Sequence, residues 1–252
     1  MEKLNNIKME KAVYKTTYEN ERSYWWYQAR VKILEHIFMK KIYRPGMEIL
    51  NLGCGTGFIS QRFSAFGWLV SLDLSADALK FCAQNQLDFL LQADAIALPF
   101  QDQSFDLCLA LDVIEHIQND MQALSEISRV LKIGGFLLIT VPAFSWMWSK
   151  MDDLGHYRRY TKSQLQNLLK QTMLKPVFIT YYNFFLFPLA IFQRLTERII
   201  QKKVTSENFL PSLPWWLNQL FYMIFSRERN WIEYVSFPFG LSLLAIAQKN
   251  KG

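Results

Sequence analysis

The run Ile49-Leu50-Asn51-Leu52-Gly53-Cys54-Gly55-Thr56-Gly57 constrains the fold of this chain more than any other feature. A short apolar stretch enters a turn with a glycine at every second position, and the amphipathic stretch Gly57–Phe66 follows. That succession reads as strand, loop and helix. Glycines there permit positive φ and let the backbone approach a ligand with no Cβ in the way. The start of the helix offers unpaired N–H groups to an anion. The spacing is G-x-G-x-G, whereas the dinucleotide fingerprint is G-x-G-x-x-G, and Phe58 stands where the third glycine of that fingerprint belongs. Taken alone, the loop is equally a tight structural turn.

The rest of the chain extends the same alternation. Short apolar runs at Glu48–Leu52, Leu69–Leu72, Phe89–Leu91, Leu107–Leu111 and Phe136–Val141 read as strands. Amphipathic stretches at Gly57–Phe66, Ser75–Asn85, Asp120–Leu131 and Lys162–Gln171 read as helices. Runs that are apolar on both sides suit buried parallel strands. The expected fold is α/β: a Rossmann-like, mostly parallel sheet with helices on both faces. Ser75 and Thr161 are placed to cap helices, and Gly134-Gly135 to end the helix that runs to Leu131. Residues 20–42 form an expected helix before the sheet, with Trp25, Trp26, Ala29, Ile33, Leu34, Ile37 and Phe38 at helical spacing. Two late strands are expected at Lys175–Tyr182 and Leu241–Gln248. The whole reads as a single domain: an N-terminal helical cap over 1–45, a core over 46–182, a hydrophobic helical insertion over 183–239 and a last strand over 240–252.

Composition narrows the classes. A content of 51% hydrophobic residues supports a sizeable core. No charge-free apolar run reaches about 18 residues, so no membrane span is expected, and Met1 to Lys15 has no apolar signal region. The three cysteines, Cys54, Cys82 and Cys108, are scattered, which argues against a disulfide framework or a zinc site and for a reducing, cytoplasmic setting. The net charge of +6 fits either ordinary solubility or an anionic partner.

Two carboxylates follow the glycine loop at strand ends. Asp73 lies 20 residues after Gly53, where an acid can accept both ribose hydroxyls of a nucleoside. It suits several nucleoside cofactors equally, and an acid favoured by a helix dipole is the alternative. Asp94, in Gln92-Ala93-Asp94-Ala95, is placed to accept a hydrogen bond from an adenine amine.

With "LPF…SFDLCLALDVIEHI" and "ALSEISRVLKIGGFLLITVP", this succession resembles the class I S-adenosylmethionine (SAM)-dependent methyltransferases, in particular the ubiquinone and small-molecule subgroup, over about Met47 to Pro142. The resemblance implies a seven-stranded sheet with SAM at the carboxyl ends of its strands and S-adenosyl-L-homocysteine as product. It implies that Gly53, Cys54, Gly55 and Gly57 line the methionine portion and that Asp73 binds the ribose. Leu74 would face the adenine, Asp94 would bind its amine with Ala95 beside it, and Asp112 would stand near the methionine amine or the methyl. Asn51 departs from the family, which more often has an acid there. Tyr24–Arg30 is similar to the aromatic-plus-arginine helix that covers the cofactor in part of the subgroup, and there Arg30 would pair with the SAM carboxylate.

Methyl transfer from a sulfonium relies on positioning, and a base is needed only where the acceptor must lose a proton. His116, in Asp112-Val-Ile-Glu-His, and His156, in Gly155-His-Tyr-Arg-Arg-Tyr160, are the two catalytic candidates. The second cluster could also bind an anionic group of a substrate. Neither histidine shows metal-ligand spacing to another, and Glu115-His116 with Asp112 makes only a partial set, so no metal is expected. The insertion combines Phe184–Phe192, Trp215-Trp216 and the cations Arg194, Arg198, Lys202, Lys203, Arg227 and Arg229. It reads either as a cap that completes the substrate pocket or as a peripheral contact with the inner face of a membrane. The cations do not interleave with a strand platform, so no nucleic-acid partner is expected. The expected function is methyl transfer, as O-methylation, to a small-molecule, lipid or glycan-precursor acceptor. A non-catalytic SAM-binding module at a membrane surface and a nicotinamide dehydrogenase are the alternatives.

Overall fold

The computed structural model describes residues 11–199, 210 and 212–250. Its centre is a seven-stranded sheet in the order β3-β2-β1-β4-β5-β7-β6, formed by β1 (Met47–Leu52), β2 (Gly67–Asp73), β3 (Leu90–Gln92), β4 (Phe105–Leu111), β5 (Leu131–Pro142), β6 (Leu174–Tyr182) and β7 (Ser242–Lys249). The first five strands pair in parallel, and β7 runs antiparallel to both β5 and β6. The order turns back at β1, where β2 and β4 flank it on either side. That switch point opens a crevice at the carboxyl ends of the strands, where open α/β sheets bind ligands. Every residue of β4 is buried, as a central parallel strand demands.

Eight helices among the described residues complete the fold: α1 (Lys11–Asn20), α2 (Trp25–Lys41), α3 (Phe58–Phe63), α4 (Ala76–Gln84), α5 (Asp120–Val130), α6 (Lys162–Gln171), α7 (Phe187–Ile199) and α8 (Trp215–Ser226). The Ser75 side chain accepts from Ala78 N at the start of α4. Thr161 and Gln164 form a reciprocal capping box at α6.

Two expectations change. The helix expected over 20–42 starts at Trp25, because Tyr24 is extended (ψ 131°), and a separate helix, α1, precedes it. Gly134-Gly135 do not end α5. The helix stops at Val130 and the chain is extended from Leu131, with the glycines inside β5, where its register with β4 shifts between Phe105 and Leu107. A Cβ on Gly135 would come within 2.8 Å of the Lys132 carbonyl oxygen, so the strand passes there only as glycine. Within the insertion, α8 packs on α2. Asn218 Oδ1 accepts from Trp25 N at 2.9 Å, and the Trp25 ring meets Phe221 and Phe225 edge-on. Lys202 and Lys203 lie outside the described residues. No helix among the described residues is long and apolar enough to cross a membrane.

Candidate active site

A cavity of about 390 Å³ lies over the carboxyl ends of β1, β2 and β4, within the range of roughly 300–1,000 Å³ usual for small-molecule sites. Its floor is the glycine loop. Gly53, Gly55 and Gly57 all take positive φ (64°, 55° and 89°), the left-handed region that side chains avoid. At Gly53 a Cβ would also strike Val113 at 2.6 Å, and at Gly57 Cys82 Sγ at 2.9 Å, so both glycines are imposed by packing. At Gly55 nothing lies within 4 Å, so the space is open for a ligand.

Asp73, at the end of β2, turns back on this loop. Its Oδ2 accepts from Gly55 N and its Oδ1 from Ser75 N, both at 2.9 Å. Each oxygen keeps a lone pair for a further donor. Burial raises its pKa, and the backbone N–H groups oppose that rise. Leu74, Asp94 and Ala95 line the cavity beyond it, with Asp94 exposed and its Oδ1 accepting from Ile96 N. Asn51 also lines the cavity, but its amide donates to Ser60 Oγ at 2.8 Å, and Ser71 donates to the same hydroxyl. The asparagine in place of an acid is thus built into a buried hydroxyl network. Cys54 and Cys82, distant in sequence, bring their thiols to 3.5 Å beneath the loop, a juxtaposition their scattered positions did not suggest. Both are reduced.

The N-terminal helices form the opposite wall. Arg30 of α2 is buried, donates to Asp112 Oδ2 at 2.8 Å and to Thr140 Oγ1 at 2.9 Å, and its Nε has no partner. Asp112 closes β4 with φ +58°. Sequence reading missed Tyr14, Thr17 and Glu21, which also line the cavity. Their signal was available: Val13, Tyr14, Thr17, Tyr18 and Glu21 recur at helical spacing. Glu21 is buried and accepts a hydrogen bond from Thr56 Oγ1 of the glycine loop. Burial pushes its carboxyl up to about 7. Burial, reinforced by Asp73, pushes the Tyr14 phenol up to about 12.

The two candidate histidines both line the cavity and meet there. They lie 40 residues apart in sequence, yet their rings stand edge-to-face with centroids 4.5 Å apart. His116 Nδ1 is 3.0 Å from the Gly155 carbonyl, and His156 Nδ1 is 2.7 Å from Asp152 Oδ1. Burial, with His156 beside it, holds His116 down at about 4. The neighbouring arginines are engaged elsewhere: Arg159 forks onto Asp152, and Arg158 pairs with Asp120 at 2.8 Å. They brace the loop that carries His156. Among the described residues, none from 183–239 lines the cavity, because α8 is held against α2. Of the two readings of the insertion, the cap that completes the pocket is not met by its described residues.

The residues present fit SAM. Open space faces Gly55, Asp73 keeps free lone pairs, and the unpartnered Arg30 Nε and Glu21 Oε1 are buried beside the cavity.

A methyltransferase-domain family model matches residues 50–139, from the middle of β1 to the middle of β5. A malonyl-[acyl-carrier protein] O-methyltransferase of Erwinia pyrifoliae is 40% identical over 117 residues, 45% of this chain and 42% of that protein. A 2-methyl-6-phytyl-1,4-hydroquinone methyltransferase of Synechocystis is 24% identical over 196 residues, 75% of this chain and 58% of that protein. The chain thus matches about half the length of these relatives. The methyltransferase solved in complex with the Haloferax volcanii Trm112 activator shares the fold, with a TM-score of 0.62 and 16% identity over 94% of this chain and 98% of that one. Fold and site together define a Rossmann-like SAM-binding protein. Residues 50–139 match the methyltransferase-domain family, and the relatives that the chain resembles are SAM-dependent methyltransferases.

Proposed function

We propose that this protein transfers a methyl group from SAM to an oxygen of a small-molecule, lipid or carrier-linked acceptor, leaving S-adenosyl-L-homocysteine, and that the whole chain acts as one domain. The observation that carries the reading is the cavity in which the glycine loop and Asp73 meet at the sheet's switch point. When bound, SAM supplies a methyl on a sulfonium, an already activated leaving group. The protein's part is then to bind, orient and exclude water.

In this reading Gly53, Cys54, Gly55 and Gly57 accommodate the methionine portion, with Asn51 behind them. Arg30 and Asp112 serve its charged ends. Asp73 accepts from the ribose, Leu74 and Ala95 pack against the adenine, and Asp94 accepts from its amine. His116 and His156, which also line the cavity, hold the acceptor oxygen. The choice of oxygen draws support from the relative named a malonyl-[acyl-carrier protein] O-methyltransferase, and a lipid-like acceptor from the relative named for a methylphytylhydroquinone.

A lipid acceptor, and with it peripheral contact with a membrane, is favoured by one further observation. Trp215 is 77% exposed, Trp216 58% and Phe192 65%, and the exposed Arg227 and Arg229 follow α8. Aromatics beside cations suit a headgroup interface. The same surface would serve a non-catalytic SAM-binding module. Turnover of methyl-labelled SAM over a lipid extract and over acyl-carrier-linked acids separates the two. SAM binding at micromolar concentration without transfer to any acceptor would favour the module, and absence of SAM binding would overturn both.

A further inference from the structure

Glu115, His116 and His156 converge so that one ligand atom from each lies within 4.8 Å of the other two. We propose that they bind a divalent transition-metal ion, of the Zn2+ or Fe2+ class, at the edge of the cavity. Two imidazoles and one carboxylate form the set that such ions favour when open coordination positions remain.

Three features point to a ligand rather than to ordinary packing. The Glu115 side chain is fully buried, and neither of its oxygens has a hydrogen-bond partner. A buried carboxylate without donors is costly unless it is paired or coordinates a metal. Both histidines have Nδ1 against an oxygen, Gly155 O for His116 and Asp152 Oδ1 for His156, which leaves Nε2 of each for coordination. Metal-binding histidines characteristically use their other ring nitrogen in this way, on a carboxylate or a backbone carbonyl. Asp152 is itself fixed by Arg159 and by Ser149 N and Oγ at 2.7 and 2.5 Å, so the His156 ring is oriented from behind.

The geometry asks for little movement. Bonds of about 2.0–2.2 Å place ligand atoms roughly 3–4 Å apart, and one ligand atom from each residue already lies within 4.8 Å of the others. His116 and His156 both line the cavity, so the open positions of the ion face the space assigned to the acceptor. An acceptor with one or two oxygen donors would bind there. That last step rests on the methyl-transfer reading, whereas binding of the ion does not.

The test is titration of chelator-stripped, full-length protein with Zn2+ by calorimetry and with Co2+ by absorption, each with a parallel SAM titration. The expected result is one ion per chain, with a Co2+ spectrum of nitrogen and oxygen ligation and no thiolate charge-transfer band. H116Q, H156Q and E115Q should each weaken Zn2+ binding at least about 10-fold while SAM still binds. H36Q should leave it unchanged, since the third histidine pairs with Glu233 at 3.2 Å away from this cluster. No Zn2+ or Co2+ binding by the wild-type protein would overturn the proposal, as would a thiolate band, which would place the ion at Cys54 and Cys82. Metal binding without SAM binding would leave the ion site standing and sink the methyltransferase reading instead.

Discussion

Arg30 and Asp112 join the N-terminal helix to the end of β4: the guanidinium donates to the carboxylate at 2.8 Å, and Thr140 donates to the same carboxylate while accepting from Arg30. The pair closes one wall of the cavity and fixes α2 over the sheet. Removing Asp112 leaves the buried Arg30 guanidinium without its counter-charge, whereas Asp112 is partly exposed and keeps its bond from Thr140 when Arg30 is removed. D112N is therefore expected to lower unfolding free energy in urea by about 3 kcal/mol, and R30M by less. The double variant R30M/D112N should lose less than the two single variants together, because it leaves no orphaned charge.

In the proposed reading Asp73 supplies the contact that selects a nucleoside. Hydrogen bonds to a charged group contribute about 1.5–3 kcal/mol each. D73A should therefore weaken SAM binding, measured by calorimetry, by about 100-fold. A variant that binds SAM as the wild type does would remove the ribose assignment.

The glycines of the loop should divide by their surroundings. G57A places a methyl 2.9 Å from Cys82 Sγ and 3.0 Å from Leu87 at φ +89°, and is expected to lower the melting temperature by several degrees. G55A meets no protein atom within 4 Å. It carries only the left-handed cost of about 1 kcal/mol, yet it should impair SAM binding more than G57A impairs it in the fraction that folds.

Glu228 gives a pH signature far from the cavity. It is fully buried and accepts from the backbone N–H groups of Asn183, Phe184 and Phe185, anchoring the start of the insertion. Burial raises its carboxyl from 4.5 to about 7 despite those donors. The folded protein thus holds this proton up to about pH 7, while the unfolded chain releases it near pH 4.5. The stabilisation is complete below pH 4.5 and is lost as pH rises through 7, on the order of 2–3 kcal/mol. Urea denaturation between pH 4.5 and 7.5 should show this decline in the wild type and a flatter profile in E228Q.

The sheet and the cofactor end of the cavity were legible in the sequence because they are local. Apolar runs ending in Gly53, Asp73 and Asp112 each carry their own strand-end residue, and parallel strands place those ends side by side. What was not legible depended on long-range closure. The meeting of His116 with His156, and of Cys54 with Cys82, spans 40 and 28 residues and follows from strand order, which no spacing rule reports. The engagement of the arginines of Gly155–Tyr160, suggested for an anionic group, was hidden for the same reason: their partners Asp120 and Asp152 are supplied by the fold. The helix α1 was passed over because its apolar face is short and lies in a charged segment, although its spacing was regular.

The outward face of the insertion can be tested separately from the site. The inner side of α8 is fixed on α2 through Asn218, Phe221 and the buried Phe225, so the exposure of Trp215 and Trp216 is set by packing and not by a loosely placed helix. Leu220 and Met223 continue the same exposed side of α8. If this face meets lipid, its binding should combine apolar insertion with attraction of Arg227 and Arg229 to anionic headgroups, and so should weaken as salt rises. Sedimentation with vesicles containing phosphatidylglycerol should retain the wild type more than neutral vesicles do. W215S/W216S should weaken retention by about 10-fold with SAM binding unchanged, since neither side chain lines the cavity. Equal retention of both proteins would remove the membrane from the account and leave a soluble or carrier-linked acceptor.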